Sequence, residues 1–101
     1  MSNVLENNKV ILRSLCEKYA VKTMHAFGSV TTAEFNAASD IDLLISFKDI
    51  PFEQYTDNYF NLHADLEQLF KRKVDLLTER ALSNPFFIRS IEDTKQLLYA
   101  A

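Results

Sequence analysis

The sequence predicts a single domain of the α/β (α+β) class over residues 1–101, in which helices pack on a small sheet. Two observations predict this class. Apolar residues recur at the three-to-four spacing of amphipathic helices, and short runs rich in β-branched and aromatic residues lie between those segments. A chain of 101 residues has room for one core, because a domain of this size buries roughly 60–65% of the surface that its unfolded chain exposes.

The first half of the chain predicts a helix, a strand and a turn. Residues 3–19 keep a helical spacing of apolar side chains, and Asn3 with Glu6 resembles a capping box. The next predicted elements are a strand over Lys22–Phe27, a short helical or irregular turn over Thr31–Asn36, and a second strand that ends at Phe47.

The second half predicts two helices and further strands. A long helix begins at Ile50-Pro51, because proline is tolerated in a first turn, and continues to Phe70. We expect its apolar stripe in the core, and this stripe consists of Phe52, Tyr55, Tyr59, Leu62, Leu66, Leu69 and Phe70. The remaining elements are a third strand over Val74–Thr78, a last helix that Asn84-Pro85 opens, and Leu97–Tyr99 as a final strand or a docking tail.

Composition and charge exclude several classes of protein. Hydrophobic residues make up 48% and charged residues 25% of the chain, which are ordinary values for a globular protein. The formal net charge of −3 gives no broad basic field, so we expect no broad nucleic-acid binding. No apolar run approaches the roughly 18 residues of a membrane span, so we expect no membrane association. The single Cys16 in a helical pattern fits a buried thiol in a reducing, cytoplasmic compartment.

Two acidic residues mark the start of the second strand. Asp40 and Asp42 are two positions apart, and side chains two apart on a strand point to the same face. An apolar face that helices must cover is formed by Ile41, Leu43, Ile45 and Phe47. Two carboxylates held about 4 Å apart repel each other by roughly 4 kcal/mol at an effective dielectric near 20. A fold that keeps them together usually has a cation to place between them.

Asp75 and the Gly28-Ser29 pair can add to this site. Asp75 shares a strand face with Leu77, so a neighbouring strand can aim its carboxylate at the Asp40 and Asp42 pair. Gly28 is the only glycine in the chain and follows the first strand. A strand that ends in Gly-Ser and turns into a helix start aims backbone N–H groups and a hydroxyl at an anion.

Other well-known motifs do not fit these residues. A calcium loop needs oxygen ligands and a glycine where apolar residues follow Asp42, and a P-loop needs a second glycine with Gly-Lys-Ser/Thr. Ser29 lacks the Gly-x-Ser-x-Gly elbow of a serine hydrolase. His25 and His63 have no zinc-ligand spacing with Cys16, so we expect them to be structural. The remaining interpretation is a hard-metal site beside a phosphate-binding turn. Such a site is typical of enzymes that catalyse phosphoryl or nucleotidyl transfer.

The combined spacing resembles the nucleotidyltransferase superfamily related to DNA polymerase β. Gly28-Ser29 is followed after ten residues by Asp40-Ile41-Asp42, and later by Lys73-Val74-Asp75-Leu76-Leu77-Thr78. More narrowly, the chain is similar to the minimal nucleotidyltransferases (MNT) over nearly its whole length. The resemblance implies a polymerase β-like core, which is a small mixed sheet with helices packed on one face.

The resemblance also implies a reaction and a partner. It implies three catalytic residues that hold magnesium (Mg2+), namely Asp40, Asp42 and Asp75. It implies a site for ATP or another nucleoside triphosphate that is formed by Gly28, Ser29 and Ser39. Many such chains are similar to the antitoxins of toxin–antitoxin pairs with a helical HEPN ribonuclease, so we expect either transfer of AMP to that partner or neutralisation by binding. The resemblance leaves open whether the chain forms a homo-oligomer.

One departure from the family pattern follows Gly28-Ser29. The family usually has an arginine-rich stretch that ends in glycine there, whereas this chain has Val30-Thr31-Thr32-Ala33. A lost charge-assisted hydrogen bond costs roughly 1.5–3 kcal/mol, so nucleotide affinity can fall by about one to two orders of magnitude. Lys48, Arg72 or Lys73 can compensate if the fold brings them near. The departure keeps a second interpretation open, in which the chain is a weak or inactive enzyme that acts by binding.

Overall fold

The computed structural model describes residues 3–101, apart from the side chain of Asn3. The predicted capping box of Asn3 and Glu6 therefore lies outside what is described. In order along the chain, the helices and strands are α1 (Asn3–Asn7), α2 (Lys9–Lys18), β1 (Val21–Phe27), β2 (Ile41–Phe47), α3 (Phe52–Phe70), β3 (Val74–Thr78), α4 (Pro85–Thr94) and β4 (Gln96–Ala100). Short 3-10 helices follow β1, over Gly28–Thr31, and β3, over Glu79–Ala81.

The strands form one mixed sheet in the order β3-β2-β1-β4. β1 pairs antiparallel with both β2 and β4, and β2 pairs parallel with β3. This arrangement confirms the predicted α/β (α+β) class. Leu97–Tyr99 belongs to the edge strand β4, which pairs with β1, and so it is not a docking tail.

Helices α2 and α3 cover one face of the sheet. The buried side chains on this face include Leu12, Cys16, Met24, Ala26, Ile41, Leu43, Ile45, Leu62, Leu66 and Phe70. The apolar face predicted for β2 is therefore buried at three of its positions, and half-buried Phe47 packs its ring edge-to-face on Tyr55 with centroids 4.9 Å apart. Burial raises the pKa of the free Cys16 thiol to about 12, which confirms a buried thiol.

Helix α4 adds a smaller apolar cluster on the opposite face, where Phe27, Leu44 and Ile91 are buried together. Asn84 caps this helix as predicted, because its Oδ1 accepts hydrogen bonds from the N–H groups of Phe86 and Phe87. Side chains two apart on a strand share a face, so α4 lies over the same face of β2 that carries Asp42.

Two sequence predictions about helices are wrong. The single helix predicted over residues 3–19 is interrupted at Asn8, whose side-chain Nδ2 donates to the Val4 carbonyl at 2.8 Å. Asparagine side chains offer the backbone an alternative to helical hydrogen bonds. Phe52, assigned to the buried stripe of α3, is 77% exposed, because it lies at the first residue of the helix rather than over the sheet.

Side chains of α3 close the outer edge of β3. Glu67 Oε2 accepts from the Val74 N–H at 2.9 Å, and His63 Nε2 lies 2.7 Å from the Val74 carbonyl oxygen. The Tyr59 hydroxyl donates to the Leu76 carbonyl at 2.5 Å. Edge strands expose hydrogen-bonding groups that need partners, and these contacts fix β3 against α3. Residues 3–101 contain no helix with both the length and the apolar character needed to cross a membrane.

Candidate active site

Asp42 of β2 and Asp75 of β3 are direct neighbours across the parallel strand pair. Their side chains therefore lie on the same face of the sheet. Burial raises the pKa of Asp42 to about 6, and the hydrogen bond and charge of Asp75 add to this increase. The structure therefore brings together two of the three carboxylates predicted to meet, and negative charge on Asp42 is costly there.

Asp40 lies just before β2, and the ammonium group of Lys73 separates it from Asp75. Lys73 Nζ is 3.7 Å from Asp40 Oδ2 and 3.7 Å from Asp75 Oδ1. The Asp40 charge also raises the pKa of Asp42, although less than Asp75 does. Asp40 therefore does not join the Asp42 and Asp75 pair directly, and Lys73 lies between Asp40 and Asp75.

The turn at Gly28 approaches these carboxylates through its backbone. Gly28 has φ +72, a left-handed conformation that side chains disfavour, and an ideal Cβ on it would lie 2.5 Å from Asp42 Oδ2. Its N–H donates to Thr94 Oγ1 at 3.1 Å. Within residues 3–101 the Ser29 hydroxyl has no hydrogen-bond partner, whereas the Ser29 carbonyl accepts from the Thr32 N–H and hydroxyl. Ser29 is thus the part of this turn that is open to a ligand.

A pocket of about 530 Å³ opens beside the carboxylate pair. Asp42, Asp75 and Lys73 supply charged groups to its wall, and Phe27 and Phe87 supply apolar surface. The two phenylalanine rings pack edge-to-face with centroids 6.2 Å apart. Ligand pockets that combine apolar walls with a few convergent polar groups typically have volumes of about 300–1,000 Å³.

Of the three residues that could replace the missing arginines, Lys48, Arg72 and Lys73, only Lys73 is free to act at the site. Lys73 lies at the site. The Arg72 guanidinium lies 4.7 Å from the Phe35 ring centroid and donates to the carbonyls of Asn36 and Ser39 at 3.1 and 3.0 Å. Arg72 thus braces the loop before Asp40. Lys48 follows the far end of β2, away from the carboxylates.

Ser39, predicted to bind nucleotide, lies in this braced loop. Its Oγ accepts from the Asn36 N–H at 3.2 Å, and its carbonyl accepts from Arg72. Val30, in the segment where the family has arginines, is buried in the core. The turn after Ser29 therefore supplies packing and hydroxyl groups instead of positive charge.

The donor chemistry of the site fits magnesium. No three acidic, histidine or cysteine side chains within residues 3–101 already converge as a complete metal-binding cluster. Magnesium needs only one or two protein carboxylates together with substrate phosphates and water, and Asp42 with Asp75 supplies two. Burial is the main cause of the raised Asp42 pKa, and a divalent cation would relieve the repulsion from Asp75 and Asp40 that adds to it.

Sequence reasoning missed three features of the site. These are the bridging position of Lys73, the Thr94 contact to Gly28, and Phe87 as a wall of the pocket. Only the first had a sequence signal, because Lys73 lies two residues before Asp75 at the start of a strand and therefore shares its face.

Comparisons with known proteins agree with this architecture. A family model for a nucleotidyltransferase domain matches residues 9–98. The chain is similar to "Putative protein adenylyltransferase MJ0128" of Methanocaldococcus jannaschii, at 38% identity over 93 residues that cover 92% of this chain and 89% of that protein.

Solved structures show the same fold. "Structure of putative minimal nucleotidyltransferase" covers 95% of each chain at 27% identity with a TM-score of 0.76. The tri-AMPylated Shewanella oneidensis HEPN toxin in complex with MNT antitoxin matches with a TM-score of 0.67 at 17% identity, over 96% of this chain and 73% of that chain, which is a likeness of fold alone. Since one family model spans nearly the whole chain and the sequence relative agrees with it, the chain belongs to the nucleotidyltransferase domain family and has the fold of a minimal nucleotidyltransferase.

Proposed function

We propose that this chain is a magnesium-dependent adenylyltransferase that transfers AMP from ATP to a partner protein. The single observation that carries the proposal is the pairing of Asp42 with Asp75 across neighbouring strands, beside the Gly28-Ser29 turn. Asp40, Asp42 and Asp75 are the proposed catalytic and metal-binding residues. Gly28, Ser29 and Ser39 are the proposed nucleotide-binding residues. The free, buried Cys16 fits a reducing compartment, and we place the protein in the cytoplasm.

The chemistry of this transfer suits an acidic site. The acceptor oxygen forms a bond to the α-phosphorus of ATP, the bond from that phosphorus to the β-bridging oxygen breaks, and pyrophosphate and a proton are released. Bound magnesium supplies charge neutralisation of the phosphates. The chain's own contribution is to hold the carboxylates of Asp42 and Asp75 in the pocket wall and to shield the reacting groups with Phe27 and Phe87. Ser29 is not part of the pocket wall, and its hydroxyl would reach a phosphate from the turn at Gly28, which lies against Asp42.

The proposed acceptor is a helical HEPN-type protein, which would make this chain the antitoxin of a HEPN/MNT pair. Support comes from the fold shared with the MNT antitoxin that was solved in complex with a tri-AMPylated HEPN toxin. Exposed apolar side chains next to the pocket give an acceptor protein something to contact, since Phe86 is 85% and Phe87 43% exposed. Such surfaces often mark protein contacts.

One observation favours a second candidate, a catalytically weak chain that neutralises its partner by binding. The turn after Ser29 carries no cation, and the Gly28 N–H already has Thr94 as its partner. Phosphate would therefore meet fewer donors here than in relatives with arginines, and ATP binding would be weaker.

Co-expression with the protein encoded next to this gene separates the two candidates. We expect a stable complex in which the neighbour gains the mass of one or more AMP groups with the wild-type chain, and none with Asp42→Asn. Asp57→Asn, at an exposed position on α3, is the matched control and should act like wild type. A complex whose neighbour is never modified would support the binding candidate. A purified chain that forms no complex and transfers AMP to a small molecule would refute the partner assignment.

A further inference from the structure

Lys73 is the one residue whose side chain forms an ion pair with two of the proposed metal ligands, among the residues that the structure describes. Its Nζ lies 3.7 Å from both Asp40 Oδ2 and Asp75 Oδ1. These distances exceed the range of about 2.7–3.2 Å for a good N–H···O hydrogen bond. The ammonium is therefore attracted by both carboxylates but is not locked to either.

The backbone and the side chain of Lys73 differ in how firmly they are held. The Lys73 carbonyl accepts a hydrogen bond from the Ile41 N–H at 3.1 Å, which ties this residue to β2. The side chain is 67% exposed, and exposed ion pairs are weak and easily exchanged. The backbone of Lys73 is therefore fixed, whereas its charged side chain can move.

The same side chain lines the pocket next to Asp42 and Asp75. When the ammonium moves away from the carboxylates, it remains beside the space in which a ligand would lie. The turn after Ser29 supplies no positive charge, and Arg72 is engaged with Phe35, Asn36 and Ser39. Lys73 is therefore the cation best placed to meet a phosphate.

We propose that Lys73 is an exchangeable counter-ion of the active site. It neutralises Asp40 and Asp75 in the metal-free chain, competes with a divalent cation for them, and contacts the triphosphate of the nucleotide once the cation has displaced it. This inference rests on the proposed function, since it requires that the aspartates hold a metal ion. It predicts effects of opposite sign on metal binding and on nucleotide binding.

Titration calorimetry on the full chain tests the inference with two probes. The first is magnesium chloride alone, and the second is an ATP analogue that cannot be cleaved between its α- and β-phosphates, added with saturating magnesium. In Lys73→Met we expect magnesium alone to bind roughly three- to tenfold more tightly, because a competing charge a few Å away is removed. We expect the nucleotide analogue to bind roughly three- to tenfold more weakly, because a charged contact is lost.

Lys71→Met is the matched control. Lys71 is exposed, lies two residues away, and carries the same charge, so a general effect of net charge would appear equally in both variants. The inference is overturned if Lys73→Met matches Lys71→Met with both probes, or if both affinities fall together as they would after structural damage. If wild type and Asp42→Asn both fail to take up magnesium, the proposed function itself is wrong, and the inference falls with it.

Discussion

Gly28 and Asp42 are so close that no side chain fits between them: an ideal Cβ on Gly28 would lie 2.5 Å from Asp42 Oδ2. This contact explains why the only glycine of the chain is found here. The sequence predicts that this glycine allows close approach of a phosphate. The structure adds two reasons, a positive φ of +72 and the proximity of a carboxylate.

Gly28→Ala should therefore damage the protein in two separable ways. Backbone strain should lower the free energy of unfolding by roughly 1–3 kcal/mol, and displacement of the Asp42 carboxylate should weaken magnesium binding. Urea denaturation with and without magnesium measures both effects. In an Asp42→Ala background the same substitution should cost less, because the clash is gone while the strain remains. Equal costs in the two backgrounds would show that the contact is unimportant.

Magnesium should stabilise the chain through the carboxylate pair. At about ten times its dissociation constant, it should add roughly 1.4 kcal/mol and raise Tm by about 5–10 °C. Asp42→Asn should abolish this rise, and it should stabilise the metal-free form because it removes a half-buried charge next to Asp75. Asp57→Asn on the exposed face of α3 serves as control. An equal magnesium shift in all three proteins would contradict the site assignment.

The raised pKa of Asp42 predicts how magnesium binding depends on pH. Metal ligands must be ionised, so the affinity should fall as pH drops through about 6, the pKa to which burial and Asp75 raise this carboxyl. The decrease should approach about tenfold per pH unit below that value. Calorimetry across about pH 5 to 8 measures it. An affinity that does not change until pH nears 4 would show that Asp42 has the pKa of an ordinary carboxyl.

Stability without metal should depend on Asp42 in the opposite sense to a typical acid. Its folded-state pKa is above its unfolded value of 3.8, so the folded chain takes up the proton at higher pH than the unfolded chain. The penalty is therefore present above about pH 6 and disappears as pH falls through that value towards 4. This gain on acidification should be absent from Asp42→Asn.

His25 should reduce stability at low pH. Its Nδ1 is buried without a hydrogen-bond partner within residues 3–101. Burial lowers the His25 pKa, and the Lys95 charge lowers it further. The charges of Glu79 and Glu92 act in the opposite direction. Because the folded-state pKa is below the unfolded value near 6.5, stability is lost as pH falls below about 6.5. Thermal melts in the Asp42→Asn background isolate this effect. There, His25→Gln should make Tm less dependent on pH, and an unchanged dependence would assign the acid sensitivity to other groups.

The parts of the site that could be predicted are those that follow from strand geometry. Asp42 and Asp75 are each the second residue of a short apolar strand, and a parallel register places such residues side by side. The break at Asn8, the exposure of Phe52 and the role of Thr94 depend on which elements meet in space. A single sequence does not show which distant residues come into contact. Arg72 shows this clearly, since a basic residue at a helix end gave no sign that it braces a loop formed more than thirty residues earlier.

This brace should hold Asp40 in place. The guanidinium of Arg72 lies over the Phe35 ring and donates to the carbonyls of Asn36 and Ser39, and Ser39 immediately precedes the aspartate. Because the contacts are partly exposed, their loss in Arg72→Met should cost only about 1 kcal/mol locally. The amide protons of Ala38 and Ser39, which bond to Asn36, should then exchange about fivefold faster.

Greater mobility of this loop in Arg72→Met should also weaken magnesium binding. A carboxylate on a mobile loop loses more conformational entropy when a metal ion fixes it. Arg13→Met, an exposed arginine on α2, removes the same charge far from the loop and should leave both measurements unchanged. Faster exchange with unaltered magnesium affinity would mean that Arg72 orders the loop but that Asp40 does not depend on it. Unaltered exchange in Arg72→Met would refute the brace, because both of its hydrogen bonds would then contribute nothing to the order of the loop.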